Sequence, residues 1–283
     1  MVPQTGDELQ RLSETLNEMI QRLELAFFRN AQFTADASHE LRTPVAFIRT
    51  TAEVALLQPR DAQHYHTALG NVLHEAERMS GLIDELLTLA RADAGTSNLK
   101  LLPLDIREPM QYAYLQKATI ASGKNIRFLA DIPDQEVLVL GDMVALQRLY
   151  LILIDNALKY TPEGGMVDLS LTAEDSEVVV SVRDSGIGIA DEDILHIFDR
   201  FYRSDKARQR DRGGSGLGLS IGKWIAEVHH AELQVKSELN VGSTFSIHFH
   251  SPDESTDCLS GVFQVSAIEQ SEVLSAGSLH SCK

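Results

Sequence analysis

The chain has 283 residues, and its 25 basic against 41 acidic side chains leave a formal net charge of −16. That length predicts about two domains, and a hydrophobic share of 43% excludes a wholly disordered chain. The acidity excludes nucleic acid as the main partner, because a phosphate backbone rewards a basic face. The densest apolar run, Leu149 to Ile154, is six residues, far below the roughly 18 that a membrane span needs. The opening MVPQTGDELQ is too polar for a secretory signal. Two cysteines, Cys258 and Cys282, make no disulfide framework or cysteine zinc site and fit a reducing cytoplasm.

Residues 7 to 58 carry one helical pattern. Leu9, Leu12, Leu16, Met19, Ile20 and Leu23 recur every three or four positions, and Phe27, Leu41, Val45, Ile48, Ala52, Ala55 and Leu56 continue the stripe. Pro59 stops this helix, and Asp61 is placed to cap a second one. The second runs to about Ala92 on Leu69, Val72, Ala76, Met79, Ile83, Leu86 and Ala90. Gly95, Thr96, Ser97 and Asn98 are linker residues. Such a hairpin cannot bury both stripes alone, which predicts a homodimer packed as a four-helix bundle; a long solvated stalk is the competing reading.

Beyond residue 99 the pattern changes. Strands are predicted at 126–131, 136–140, 167–172, 178–183, 233–237 and 244–249, with helices near 106–121, 142–160 and 215–230. Strands that both alternate with helices and pair as hairpins give an α/β sandwich with a mixed sheet. Residues 251–283, with eight serines, five acids and one lysine, read as a mostly disordered tail, apolar enough at Val262–Ile268 to dock locally.

One string inside the first helix defies propensity. Pro44 removes a backbone hydrogen bond there, at a cost of about 3 kcal/mol unless the bend is used. Glu40 follows His39, and a carboxylate that accepts one ring N–H leaves the other ring nitrogen as a nucleophile. Thr43 lies one turn on, on the same face. A lone helical histidine is ordinarily a bland surface residue. The whole string, Phe33-Thr-Ala-Asp-Ala-Ser-His39-Glu40-Leu41-Arg42-Thr43-Pro44, resembles the H-box of sensor histidine kinases. That resemblance implies that His39 accepts a γ-phosphoryl group, that Glu40 orients and activates it, and that Thr43 helps place a water that removes the group again. Gly6 to Leu9 and Leu16 to Met19 look like the second helix of a HAMP linker. On this reading residues 1–25 end the HAMP-like segment, 26–94 form the dimerisation and phosphotransfer hairpin, and 95–100 link it to the α/β region. The implied whole is a receptor in the bacterial inner membrane, held there by upstream segments, with this part facing the cytoplasm.

A second constellation is spread over four segments. Asn156 falls close to the buried stripe Leu146, Leu149, Tyr150 and Leu153, where an unpartnered amide costs around 1–3 kcal/mol, so it either meets the backbone or holds a ligand or ion. Its oxygen suits Mg²⁺, and Lys159, which with Tyr160 faces the same way, suits phosphate. Asp184-Ser185-Gly186-Ile187-Gly188-Ile189 ends a strand with an acceptor for an exocyclic amine and two glycines that admit a flat ligand, though turns use the same letters. Asp199–Arg212 holds six basic and three acidic residues, including Arg203, and reads as a basic lid over a polyphosphate or as a solvated loop. Gly213-Gly214-Ser215-Gly216-Leu217-Gly218-Leu219-Ser220 opens a helix and offers N–H groups to phosphate. Gly242 to Thr244 sit in a last hairpin.

Taken in order, Asn156/Lys159/Tyr160, Asp184/Gly186/Gly188, Phe198/Phe201, Gly214/Gly216/Gly218 and Gly242–Thr244 resemble the N, G1, F, G2 and G3 boxes of the histidine-kinase ATP-binding domain, a fold shared with gyrase-type ATPases and Hsp90. No GxxxxGK[ST] string occurs. The resemblance implies an ATP-binding domain at 101–250 and the cofactors ATP and Mg²⁺, the latter on Asn156. It also implies Ile189, Ser215, Leu217, Leu219 and Thr244 as nucleotide neighbours, and the receiver domain of a response regulator as partner. One position departs. The family usually has Asn four residues before Asn156, and gyrase-type relatives have a catalytic Glu; here it is Ile152. An attenuated kinase is the first reading. A nucleotide-binding phosphatase or scaffold with little kinase activity is the second, and a gyrase- or chaperone-like ATPase, lacking a carboxylate to activate water, is the third. The remaining histidines carry no metal reading: His64 and His66 face apart on a helix, His229 and His230 complement a helix C-terminus, and His248 and His250 point outward from a strand.

Overall fold

The computed structural model describes residues 8–96, 99–174, 177–204 and 214–250. The start of the HAMP-like segment, most of the basic lid, and the tail with both cysteines and Val262–Ile268 lie outside the described residues. Helix α1 (Glu8–Leu56) runs through Pro44 unbroken. Having no N–H, Pro44 leaves the Glu40 carbonyl without its helical donor. Helix α2 (Ala62–Asp93) starts as predicted, with the Asp61 carboxylate accepting the His64 N–H at 2.7 Å, a cap worth about 1 kcal/mol. Leu82 and Leu89 are buried, while Leu12, Leu16, Leu23 and Phe27 are 65%, 48%, 66% and 77% exposed, so one chain leaves much of the predicted stripe uncovered.

Strand β1 (Leu102–Asp105) pairs antiparallel with β3 (Leu138–Gly141). The five-stranded sheet runs β2 (Arg127–Asp131), β4 (Met166–Glu174), β5 (Glu177–Asp184), β7 (Gly242–His250), β6 (Ala231–Glu238); only β2 and β4 are parallel. The mixed sheet is therefore as expected. Val167, Leu169, Leu171, Val180, Val182, Phe245, Ile247 and Phe249 alternate inward, the period of two that gives a sheet one dry face. Helices α3 (Arg107–Gly123), α4 (Met143–Tyr160) and α6 (Gly218–Val228) join that face in a single core through Met110, Leu146, Leu149, Leu153, Ile221 and Ile225. A four-residue α5 (Asp191–Ile194) precedes α6.

One histidine departs from expectation. His229 is buried at the end of α6, where its Nδ1–H donates to the Ile225 carbonyl at 2.7 Å and its Nε2 accepts the Asp142 N–H at 2.9 Å. Burial holds its pKa below the usual imidazole value. It is a neutral clip between α6 and the start of α4, not a cation facing a helix dipole. His248 is half-buried, its Nδ1 2.7 Å from Glu177. The His250 side chain lies outside what the structure describes.

Candidate functional site

A cleft of about 690 Å³ opens between the helical hairpin and the α/β domain. Helix α4 supplies Ile152, Asp155, Asn156, Lys159 and Tyr160 to it from one face, while Leu153, Ile154, Ala157 and Leu158 on the other face of the same turns stay in the core. The end of β5 adds Asp184, Ile187, Gly188 and Ile189; the loops on either side of the undescribed lid add Tyr202, Arg203, Ser204, Gly214, Ser215 and Gly216. Gly218 and Leu219 come from the first turn of α6, and Ser243 and Phe245 from β7. The facing wall is the hairpin: Glu40 and Pro44 of α1, and Arg78, Met79, Gly81, Leu82 and Glu85 of α2.

The donor set fits a magnesium nucleotide. The half-buried Asn156 amide has no hydrogen-bond partner among the described residues, the state expected of a group kept for a hard cation. Asp184 is 8% exposed; its Oδ1 accepts the Gly186 N–H at 2.8 Å and Ser243 also donates to it, while burial pushes its pKa up. Beside it, Ile187, Ile189 and Phe245 form an apolar shelf for a planar base. No side chain caps α6 at Leu217, so the positive end of this helix faces the cleft through Gly216, Gly218 and Leu219.

Several expected residues sit elsewhere. Thr244 alternates with Ser243 and Phe245, so it turns to the other side of the sheet and lines a separate groove with Arg183 and Lys236. Leu217 is fully buried in the core. Phe201 adopts a left-handed backbone (φ 62°), and its ring packs on Phe33 of α1 at 6.1 Å, outside the cleft lining. The glycines also have a reason other than a flat ligand. At Gly188 (φ 65°) a Cβ would come within 2.0 Å of the Glu238 carbonyl, and at Gly216 (φ 74°) within 2.8 Å of the Phe201 backbone. His39 is exposed on α1, and its neighbour Glu40 faces the cleft; Thr43 is exposed. The sequence reading missed Asp155, Tyr202 and Phe245, and also the whole hairpin wall beyond Glu40.

Hydrogen bonds and ring contacts hold the lobes together. Ser215 Oγ donates to Glu85 Oε2 at 2.6 Å, Arg148 Nη1 donates to Thr88 Oγ1 at 2.8 Å, and Arg200 pairs with both Asp93 oxygens at 2.7 and 2.6 Å. Arg200 also lies 5.3 Å from the Phe33 ring centroid, beside Phe201. Burial raises the Glu85 pKa, against the opposing effects of the Ser215 hydrogen bond and the Arg148 charge. A raised value in the docked state means that docking is strongest below the ordinary carboxylate range and weakens as pH rises through the shifted value. Fluorescence energy transfer between a label on α2 and one on the α/β domain should therefore fall as pH rises. Glu85→Gln should flatten that dependence; an unchanged slope would show that other groups set it.

Comparison with known proteins agrees with this architecture. Residues 29–95 match the His Kinase A (phospho-acceptor) domain, and residues 141–253 match the Histidine kinase-, DNA gyrase B-, and HSP90-like ATPase family. The signal transduction histidine-protein kinase ArlS of Staphylococcus aureus is 33% identical over 250 residues, covering 86% of this chain and 54% of ArlS. The chain thus spans about half the length of the curated relatives it matches. Among solved structures, histidine kinase ThkA in complex with the response regulator protein TrrA aligns with a TM-score of 0.65 at 21% identity, over 87% of this chain and 68% of that one. Full-length ShkA in complex with AMPPNP aligns at 0.57 and 25% identity, over 78% of this chain and 46% of that one. With a phosphoacceptor hairpin followed by a gyrase- and Hsp90-like ATP-binding domain, the chain belongs to the histidine kinase family.

Proposed function

We propose that this chain transfers the γ-phosphoryl group of ATP to His39 and passes it on to an aspartate of a response regulator. The observation that carries the reading is the shared cleft. Asn156, Lys159 and the glycine loop line one wall, and Glu40, adjacent to His39, lines the other. In the reaction an unprotonated ring nitrogen of His39 bonds to phosphorus as the bond from phosphorus to the ADP oxygen breaks. Glu40 accepts the N–H of the other ring nitrogen and offsets the positive charge that develops there. Lys159 and the N–H groups opening α6 would hold the phosphates, Asp184 would select the base, and Asn156 would hold the metal. Mg²⁺, when bound, neutralises phosphate charge. The chain's own contribution is positioning and electrostatics.

The complexes of ThkA with TrrA and of ShkA with AMPPNP support a response regulator and a nucleotide as partners. The uncovered stripe of α1 supports a homodimeric bundle. Among the described residues no helix is long and apolar enough to cross a membrane. Attachment to the inner membrane through upstream segments, with residues 1–25 as the HAMP-like connection, is part of the proposal. Thr43 is exposed one turn from His39, and on this reading it would hold the water of a phosphatase step. A second reading, a nucleotide-binding phosphatase or scaffold, is favoured by Ile152 in the cleft wall.

Incubation with γ-labelled ATP and Mg²⁺ decides between them. The kinase reading expects acid-labile, alkali-stable label on the wild-type chain and none on His39→Gln. Nucleotide binding without label supports the second reading, and steady phosphate release independent of His39 supports an ATPase.

A further inference from the structure

The hairpin wall of the cleft is acidic where the phosphoryl group must arrive. Glu40 and Glu85 both face the cleft from that side, and Arg78 is the one basic residue of that wall among the described residues. The other cations of the lining, Lys159 and Arg203, belong to the opposite lobe. The opposite lobe also brings Asp155, Asp184, Glu192 and Asp193 to the lining, so a phosphoryl group that leaves Lys159 for the hairpin meets Glu40 and Glu85 there, with Arg78 as the cation of that side. In a site partly closed to water that repulsion raises the barrier, unless a cation receives the charge as it moves.

Arg78 is held for such a role. Its side chain is 34% exposed, and its Nη1 donates to Glu75 Oε1 at 2.9 Å. Glu75 lies one turn earlier on α2 and is 9% exposed. A buried carboxylate thus anchors one edge of the guanidinium. Guanidinium carries five N–H donors in a planar fork and matches the oxygens of a phosphoryl group in pairs, which an ammonium cannot do.

We propose that Arg78 is a catalytic residue of the His39 reaction: it binds the oxygens of the phosphoryl group as the group reaches the imidazole, and stays with it on the phosphohistidine. Glu75 is the positioning residue that holds the guanidinium. This inference rests on the kinase reading above and adds to it a transition-state contact from the phosphoacceptor side.

The test uses the purified chain with labelled ATP and Mg²⁺, together with a fluorescent nucleotide titration. Arg78→Gln should lower the kcat for His39 labelling by about a hundredfold to a thousandfold, the range seen when one charge-stabilising donor is removed. The nucleotide KM and Kd should stay at the wild-type values, because the nucleotide is held by the other lobe. Arg78→Lys keeps the charge without the fork and should recover part of the rate, and Glu75→Gln should fall between. Isolated phospho-His39 should also lose its label faster in Arg78→Gln. A wild-type kcat in Arg78→Gln, or a loss confined to nucleotide affinity, overturns the proposal. Should Arg78→Gln fold poorly, Arg78→Lys decides, and a kcat within about twofold of wild type rejects the bidentate contact. A wild-type chain that takes no label refutes the kinase reading itself, whereas labelling that is equal with and without Arg78 refutes this residue alone.

Discussion

Asn156→Asp should leave the chain folded and dimeric while lowering phosphorylation of His39 about a hundredfold or more. The substitution is nearly isosteric, and the Asn156 side chain makes no hydrogen bond within the described protein that the change would break. What changes is charge. A carboxylate would stand beside the neighbouring Asp155, already committed to Lys117 at 2.6 Å, and against the polyphosphate bound next to Lys159. Like charges forced together cost several kcal/mol, which is two or more powers of ten in rate. Labelling kinetics with sedimentation and thermal melting read the two halves of the expectation separately. Sustained labelling would remove Asn156 from the metal.

Ile152→Asn should act in the opposite direction. Ile152 reaches the cleft one turn before Asn156, and its Cγ2 stands 3.4 Å from where a Cβ on Gly218 would lie, at the opening of α6. An apolar side chain thus stands where the resemblance expects an amide near metal and phosphate. Restoring one hydrogen bond to a charged group is worth about 1.5–3 kcal/mol, so autophosphorylation should speed up roughly 10–100-fold. The same change removes apolar packing between α4 and α6 and should lower the melting temperature. The two effects are separable by measuring rate well below the melt. An unchanged rate would make position 152 a packing residue and nothing more.

Much of the fold was legible because its elements are long and periodic. The Asp61 cap, the inward stripe of α4 and the mixed sheet each arise from local pattern. Strand β1 was not legible, since Leu102-Pro-Leu-Asp105 is four residues with a proline and reads as linker. The four-residue α5 was too short to show a period. Within the site, the glycine strings pointed to the right loops, although neighbouring backbone at Glu238 and Phe201 demands Gly188 and Gly216 independently of any ligand. Parity along β7 puts Ser243 and Phe245 on the cleft lining and Thr244 in the neighbouring groove, which Ser243 and Asp184 also border. The facing wall could not be read at all. Arg200 and Asp93 are 107 positions apart, and Arg78, Glu85 and Phe33 each look like ordinary helix residues until the two lobes meet.

The backbone of Phe201 carries a consequence for how those lobes part. A non-glycine residue wound to φ 62° sits about 1–2 kcal/mol above its relaxed state and persists only where its surroundings over-determine it. One of those surroundings, the Phe33 ring, belongs to the other lobe. The Gly216 carbonyl of its own lobe, which accepts the Phe201 N–H at 3.0 Å, is another. Strain at this one residue offsets part of what the ring contact and the exposed ion pair contribute, so the joint is held less firmly than a core would be.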